Sequence, residues 1–224
     1  MHVFYVRCLI AISQKLNKSL YIGITDFEAD FHLISRRNLF VKLADLGISM
    51  FMLRALVEMY MVNTSYVEMN AEYSRTFCTT AGVLQGSATS TILFMAYTAD
   101  LVKLFTTKFP IEDLIHQYHI LLHADDCLIL SSCRKLFVEK FKALEGYCSK
   151  NSIRLQPLKC SFLAINTKEK DDIQLNNGII RHVNDALYLG STLSSKGNVN
   201  HDITIEIKTR KKIFNRFSAF LREN

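Results

Sequence analysis

The sequence predicts an α+β domain: a largely antiparallel sheet with helices packed on one face. Helical and strand periodicities alternate along the chain. An apolar hairpin is legible at residues 119–131, and the helical stretch 91–105 is so apolar that it must be buried. Only two prolines and eight glycines leave little room for a linker, so one compact unit is expected.

Taken in order, Val3, Val6 and Ile10 recur at helical spacing and predict a first helix. Residues 20–25 are a short apolar run with β-branched members, the composition of a buried strand. Ser35 is placed to cap a helix carrying Leu39, Leu43 and Leu46, which Gly47 ends. Ser49 opens another, with Leu53, Leu56, Val57 and Tyr60 on one side, and residues 65–84 alternate like a hairpin. Ser90 is the expected cap of helix 91–105, and Ser131 or Ser132 that of a helix bearing Phe137, Phe141 and Leu144. Short strands are expected at 153–155, 160–165 and 179–189, the last with a turn in it. A final helix from about 203 to 221 would turn Ile203, Ile207, Phe214, Phe217 and Leu221 inward and hold Lys208, Lys212 and Arg216 on another face.

Composition narrows the class. Hydrophobic residues at 49% and charged residues at 21% are those of a folded protein, not a disordered one. The net charge of +6 favours a polyanionic partner, nucleic acid or an acidic surface, and the stretch 208–222 contains basic residues and no acid. Six scattered cysteines lack zinc-finger spacing and read as small core residues of a reducing compartment. No run approaches the roughly 20 apolar residues that span a bilayer. The expectation is an intracellular protein of the nucleus or cytoplasm, neither secreted nor membrane-spanning.

The chemistry-bearing residues are carboxylates. Asp125 and Asp126 sit side by side between two buried strands. Asp is common in hairpin turns, and a structural turn would account for either residue alone. Two adjacent carboxylates at an apolar hairpin tip, however, repel each other and lose hydration unless a cation neutralises them. Asp26 ends the strand 20–25, where a neighbouring strand could bring it beside the pair. Three Asp residues at strand ends form the hard-oxygen donor set that Mg²⁺ prefers, and two such ions serve nucleotide transfer.

Five segments in this order resemble non-LTR (LINE-type) retrotransposon reverse transcriptases. Residues 25–32, led by Asp26 and Phe27, are similar to the first palm motif. Residues 82–94, with Gly82, Val83, Gln85, Gly86, Leu93 and Phe94, look like its Gly-Val-x-Gln-Gly to Leu-Phe motif. Ala124, Asp125 and Asp126 match the Ala-Asp-Asp box. Residues 155–160 resemble the segment that supplies a lysine, here Lys159. Tyr188, Leu189 and Gly190 look like the primer-grip region.

The resemblance implies a polymerase palm over residues 1–200, with a remnant of the fingers at 1–19, and a basic helix at 201–224 that would begin a thumb or connection. It implies RNA-directed DNA polymerase activity. Asp26, Asp125, Asp126 and the carbonyl of Phe27 would hold two Mg²⁺ ions, with Mn²⁺ as a substitute, and Lys159 would neutralise pyrophosphate. Phe31 would exclude a ribose 2′-hydroxyl; Gln85 and Gly86 would lie against template and incoming nucleotide. Lys208, Lys211, Lys212 and Arg216 would face the primer–template backbone. The implied partners are an RNA or DNA template with its primer, and dNTPs.

Several positions depart from the family pattern. Asp30 adds negative charge beside a triphosphate, His32 replaces a carboxylate, and His123 stands where Tyr or Phe precedes Ala-Asp-Asp. Thr91 replaces a proline, and Ser87 a frequent cysteine. Only 25 residues precede Asp26, so the fingers are expected to be truncated, the thumb mostly missing and polymerisation by this chain feeble. The competing reading is a catalytically inactive nucleic-acid-binding remnant.

Overall fold

Strand β1 (Leu20–Asp26) is apolar at nearly every position because both of its faces are covered. In the computed structural model, which describes residues 1–27, 32–61, 63–84, 87–116, 118–196 and 211, it lies within a six-stranded sheet. The order is β6 (Ile120–His123), β7 (Asp126–Ser131), β1, β8 (Ser161–Ile165), β10 (Gly178–His182) and β9 (Ile173–Leu175). Neighbours run antiparallel except for the parallel β8–β10 pair.

The two-residue period of a strand divides the core in two. Tyr21 and Gly23 of β1 face the larger core, built with α2 (Arg36–Asp45), α4 (Ala88–Lys108) and α5 (Arg134–Lys150). Leu20, Ile22 and Ile24 face the smaller one, shared with α1 (His2–Leu16) and the hairpin β11 (Asp185–Tyr188) and β12 (Ser191–Ser194). Three helices thus share one face, as expected, and α1 crosses the other. Gly23 is required by packing: a Cβ there would stand 2.5 Å from Phe141 Cζ and 2.7 Å from its Cε2.

Several predicted boundaries hold for the predicted reason. The Ser35 hydroxyl accepts from Asn38 N–H at 3.3 Å, and that of Ser49 from Met52 N–H at 3.4 Å, at the start of α3 (Met50–Met61). Gly47, at φ 83°, closes α2 with Ile48 N–H on the Leu43 carbonyl and Gly47 N–H on that of Ala44. Residues 64–78 fold into two nested pairs of short strands, β2 (Thr64–Ser65) with β5 (Phe77–Cys78) and β3 (Glu68–Met69) with β4 (Glu72–Tyr73).

Other expectations are corrected. Helix α4 starts earlier than predicted, with Ser87 at its N-cap, and the Ser90 hydroxyl instead donates to the Leu84 carbonyl. Nor is α4 wholly buried: Ile92, Met95 and Val102 are exposed. Cys133 occupies the N-cap of α5 without a side-chain cap, and the distant Glu112 carboxylate holds the turn that leads into the helix. It accepts from Ser132 N–H at 2.7 Å, Cys133 N–H at 3.2 Å and the Ser131 hydroxyl at 2.6 Å. That carboxylate is itself buried and ion-paired with buried Lys140, which also donates to the Leu130 carbonyl at 2.6 Å. Residues 153–155 form no strand, only a single bridge from Leu155 to Phe27. The run 179–189 divides between two sheets because β10 pairs with β8 while β11 pairs with β12.

Candidate active site

The register of β1 against β7 builds the site. Tyr21 to Asp26 pair in unbroken sequence with Ser131 to Asp126, so Asp26 and Asp126 are direct cross-strand partners. Facing residues of an antiparallel pair project to the same side, with Cβ atoms about 5 Å apart. Asp126 lies on the face of Leu128 and Leu130, over the smaller core, and Asp26 on that of Ile22 and Ile24. The adjacent pair, Thr25 and Cys127, is locked by the buried Thr25 hydroxyl donating to the Cys127 carbonyl at 3.0 Å.

Asp125 lies in the turn between β6 and β7, exposed, beside Ala124 at φ 54°. A left-handed backbone at a residue with a Cβ costs about 1–2 kcal/mol, and such strain collects at functional turns. Burial first, then the charges of Asp125 and of Asp26, push the Asp126 carboxyl above its ordinary pKa. Both other acids therefore bear electrostatically on Asp126.

A fourth predicted residue joins them. Lys159 Nζ lies 3.3 Å from Asp26 Oδ2. Its turn is docked on the end of β1: Gln156 N–H donates to the Asp26 carbonyl at 3.3 Å, Leu155 bridges to Phe27, and Lys159 N–H donates to the Gln156 carbonyl at 3.0 Å. Phe27, only 3% exposed, points to the opposite side and meets Phe94 edge-on at 6.3 Å. Phe31, Gln85, Gly86, Lys208, Lys212 and Arg216 lie outside the described residues; Lys211 is helical and exposed.

Hard-oxygen donors on facing strands, with like charge concentrated on Asp126, have the chemistry of a divalent-cation site. Among the described residues no group of three or more His, Cys, Asp or Glu side chains is assembled to hold a metal. The fit is one of donor type and strand placement, with the Asp26 carboxylate engaged by Lys159. A cleft of about 530 Å³ lined by Cys148, Ser152, Ile153, Arg154 and Leu155 includes none of the three acids.

Three features escaped the sequence. His123 pairs across the ladder with Asp126, and its ring meets that of His2 at 6.0 Å. His2 Nδ1 lies 3.3 Å from the hydroxyl of Tyr188, whose pKa is raised by burial and then by the nearby Cys127 and Asp126. The start of α1 and the β11–β12 hairpin thus flank the acidic ladder. The third is Arg36, whose guanidinium donates to the carbonyls of Gly82 at 2.8 Å and Tyr60 at 2.9 Å, and to that of Thr79. With Gly82 N–H on the Ile34 carbonyl at 2.9 Å, this anchors the segment leading to residues 85 and 86. No local pattern marks Arg36, because its acceptors lie 24 to 46 residues away.

Residues 4–193, which contain Asp26, Asp125, Asp126 and Lys159, match the family described as reverse transcriptase (RNA-dependent DNA polymerase). The chain belongs to the reverse transcriptase family. Its fold is similar to that of apo telomerase from Candida tropicalis truncated from its C-terminal domain, with a TM-score of 0.59 and 15% identity over 85% of this chain and 38% of that one. Apo telomerase from the same organism gives 0.61 at 13% identity, over 86% of this chain and 34% of that one. The same telomerase in complex with a fragment of telomeric RNA gives 0.61 at 14% identity, over 87% and 31%. At such identities the likeness is one of fold. This reverse transcriptase chain spans about a third of the length of those telomerase chains. No curated protein matches it. Among its described residues no helix is long and apolar enough to cross a membrane.

Proposed function

We propose that this chain is the polymerase palm of a non-LTR (LINE-type) retrotransposon reverse transcriptase, extending a primer on an RNA or DNA template with dNTPs. The observation that carries the reading is the Asp26–Asp126 pair on facing strands, with Asp125 next to it and Lys159 on Asp26. Asp26, Asp125, Asp126 and the Phe27 carbonyl are the assigned holders of two Mg²⁺ ions, which Mn²⁺ can replace. The chemistry supplied when they are bound is activation of a 3′-hydroxyl and neutralisation of a departing pyrophosphate.

The chain's own residues supply placement and charge. Lys159 reaches the phosphates from the turn docked on β1. Phe31 is assigned to exclude the ribose 2′-hydroxyl, and Gln85 and Gly86 to seat template and incoming nucleotide. Residues 1–200 form the palm, with 1–19 as the fingers remnant. The segment 201–224, with Lys208, Lys211, Lys212 and Arg216, contacts the primer–template backbone, so binding weakens as salt rises.

The test is primer extension with Mg²⁺ and dNTPs. The expected result is weak product that disappears in Asp126→Asn and in Asp26→Asn; product insensitive to both substitutions would overturn the assignment. The second reading, an inactive nucleic-acid-binding remnant, draws on the lack of an assembled three-ligand group among the described residues. Thermal stability measured with increasing Mg²⁺ separates them. A stabilisation lost in Asp125→Asn supports the enzyme, and no response with nucleic-acid binding intact supports the remnant.

A further inference from the structure

The Asp26 carboxylate already has a cation. Lys159 Nζ stands 3.3 Å from Asp26 Oδ2, and the two side chains are 61% and 36% exposed. The contact is built from the backbone outward: Gln156 N–H on the Asp26 carbonyl, the Phe27–Leu155 bridge and the turn closed by Cys160 N–H on the Pro157 carbonyl at 3.1 Å. The anchor of the lysine is therefore held while its long side chain remains free to swing. On the other side of Asp26, Asp126 and Asp125 concentrate negative charge.

From this we infer that Lys159 is the resident counter-ion of Asp26 and is displaced from it by the divalent cation. Metal entry and release of the ammonium group are then a single exchange. The inference rests on the metal-site reading above and adds a coupling to it. An exposed ion pair is weak, so the exchange is easy, whereas a buried one would exclude the metal. Once released, the ammonium is within side-chain reach of any phosphate brought to Asp26, and it arrives only when the metal does.

Coupling of this kind is reciprocal. Removing the lysine charge should tighten the metal, and adding metal should uncover the lysine. The test is Mn²⁺ binding to the full chain by calorimetry, in wild type, Lys159→Ala, Asp26→Asn and Lys103→Ala. Lys103 is an exposed lysine of α4 and controls for net charge. The expected result is a dissociation constant about two- to fivefold lower in Lys159→Ala, unchanged in Lys103→Ala and much higher in Asp26→Asn. In parallel, acetylation of Lys159 by a water-soluble acylating reagent, read by mass spectrometry, should accelerate when Mn²⁺ is added. Binding by wild type that is unchanged or weakened in Lys159→Ala would overturn the exchange and leave the metal site standing. No binding by wild type or Lys159→Ala would overturn both. Binding by Lys159→Ala alone would support the exchange in its strongest form.

Discussion

Asp26 and Asp126 face each other across the β1–β7 ladder, two like charges in a position where sheets usually place a compatible pair. Nothing in the packing of the sheet calls for this. The neighbouring pairs, from Tyr21 with Ser131 to Thr25 with Cys127, already hold the register. The arrangement is a local cost to stability, placed at a strand end where a cation can enter.

Asp126→Asn should therefore stabilise the metal-free chain, by about 0.2–1 kcal/mol, since directly opposed like charges cost that much. The same substitution should abolish any stabilisation by Mg²⁺. Thermal melts with and without Mg²⁺ check both; a destabilised metal-free variant would show that the Asp126 carboxylate has a structural role instead.

Gly23→Ala should lower stability by about 1–3 kcal/mol, the usual range for overpacking. The added Cβ would press on Phe141 and Phe137, both fully buried and without room to yield. Urea denaturation gives the value, and a companion Phe141→Leu should recover part of the loss.

Arg36→Ala should cost about 2–4 kcal/mol, because it leaves the carbonyls of Gly82, Tyr60 and Thr79 without their charged donor. Arg36→Lys should recover only a fraction, since a single ammonium cannot serve three segments at once. Proteolysis at the segment around residue 84, compared between the two variants, reports the loosening directly.

Acid should unfold the chain in two stages. Burial, followed by the Lys140 charge, lowers the His119 pKa from 6.5, so the unfolded state takes up its proton first and stability falls as pH drops below that value. His2 and His182, also lowered by burial, share this stage. Burial raises the Glu112 carboxyl, but hydrogen bonds from Lys140 and Ser131 outweigh it and leave the pKa below 4.5. Its contribution is present above 4.5 and is lost as pH falls through the lowered value. Melting temperature against pH should decline first below about 6.5 and again in deeper acid. His119→Phe should shrink the first stage, and Glu112→Gln should remove the second while destabilising the chain at neutral pH.

Ala124→Gly should raise stability by about 1 kcal/mol, because glycine adopts φ 54° without the Cβ penalty. If the turn is strained in order to present Asp125, the same substitution should loosen metal binding. Paired melts and Mn²⁺ titrations separate the two effects.

Much of this was legible in the sequence, and the reason differs from residue to residue. Strand β1, the hairpin around Asp125 and the caps at Ser35, Ser49 and Gly47 follow from contacts within a few residues, which periodicity and side-chain type encode directly. Ser90, Ser131 and Ser132 misled for the opposite reason. Ser90 was taken by the Leu84 carbonyl in the loop before the helix, and Ser131 and Ser132 by the Glu112 carboxylate 19 and 20 residues away; helical periodicity names neither partner.

By itself the sequence determined most of the element types, though not the absence of a strand at 153–155 or the exposed side of α4, and the identity of the acids. These depend on propensity and hydrophobicity, which each short segment carries with it. Tertiary structure alone decided that Asp26 stands opposite Asp126, that Lys159 engages Asp26, and that Arg36 ties three segments together. Strand register and loop docking are set by cooperative packing of residues well separated in the chain, and a two-residue alternation fixes the face of each Asp but not its partner.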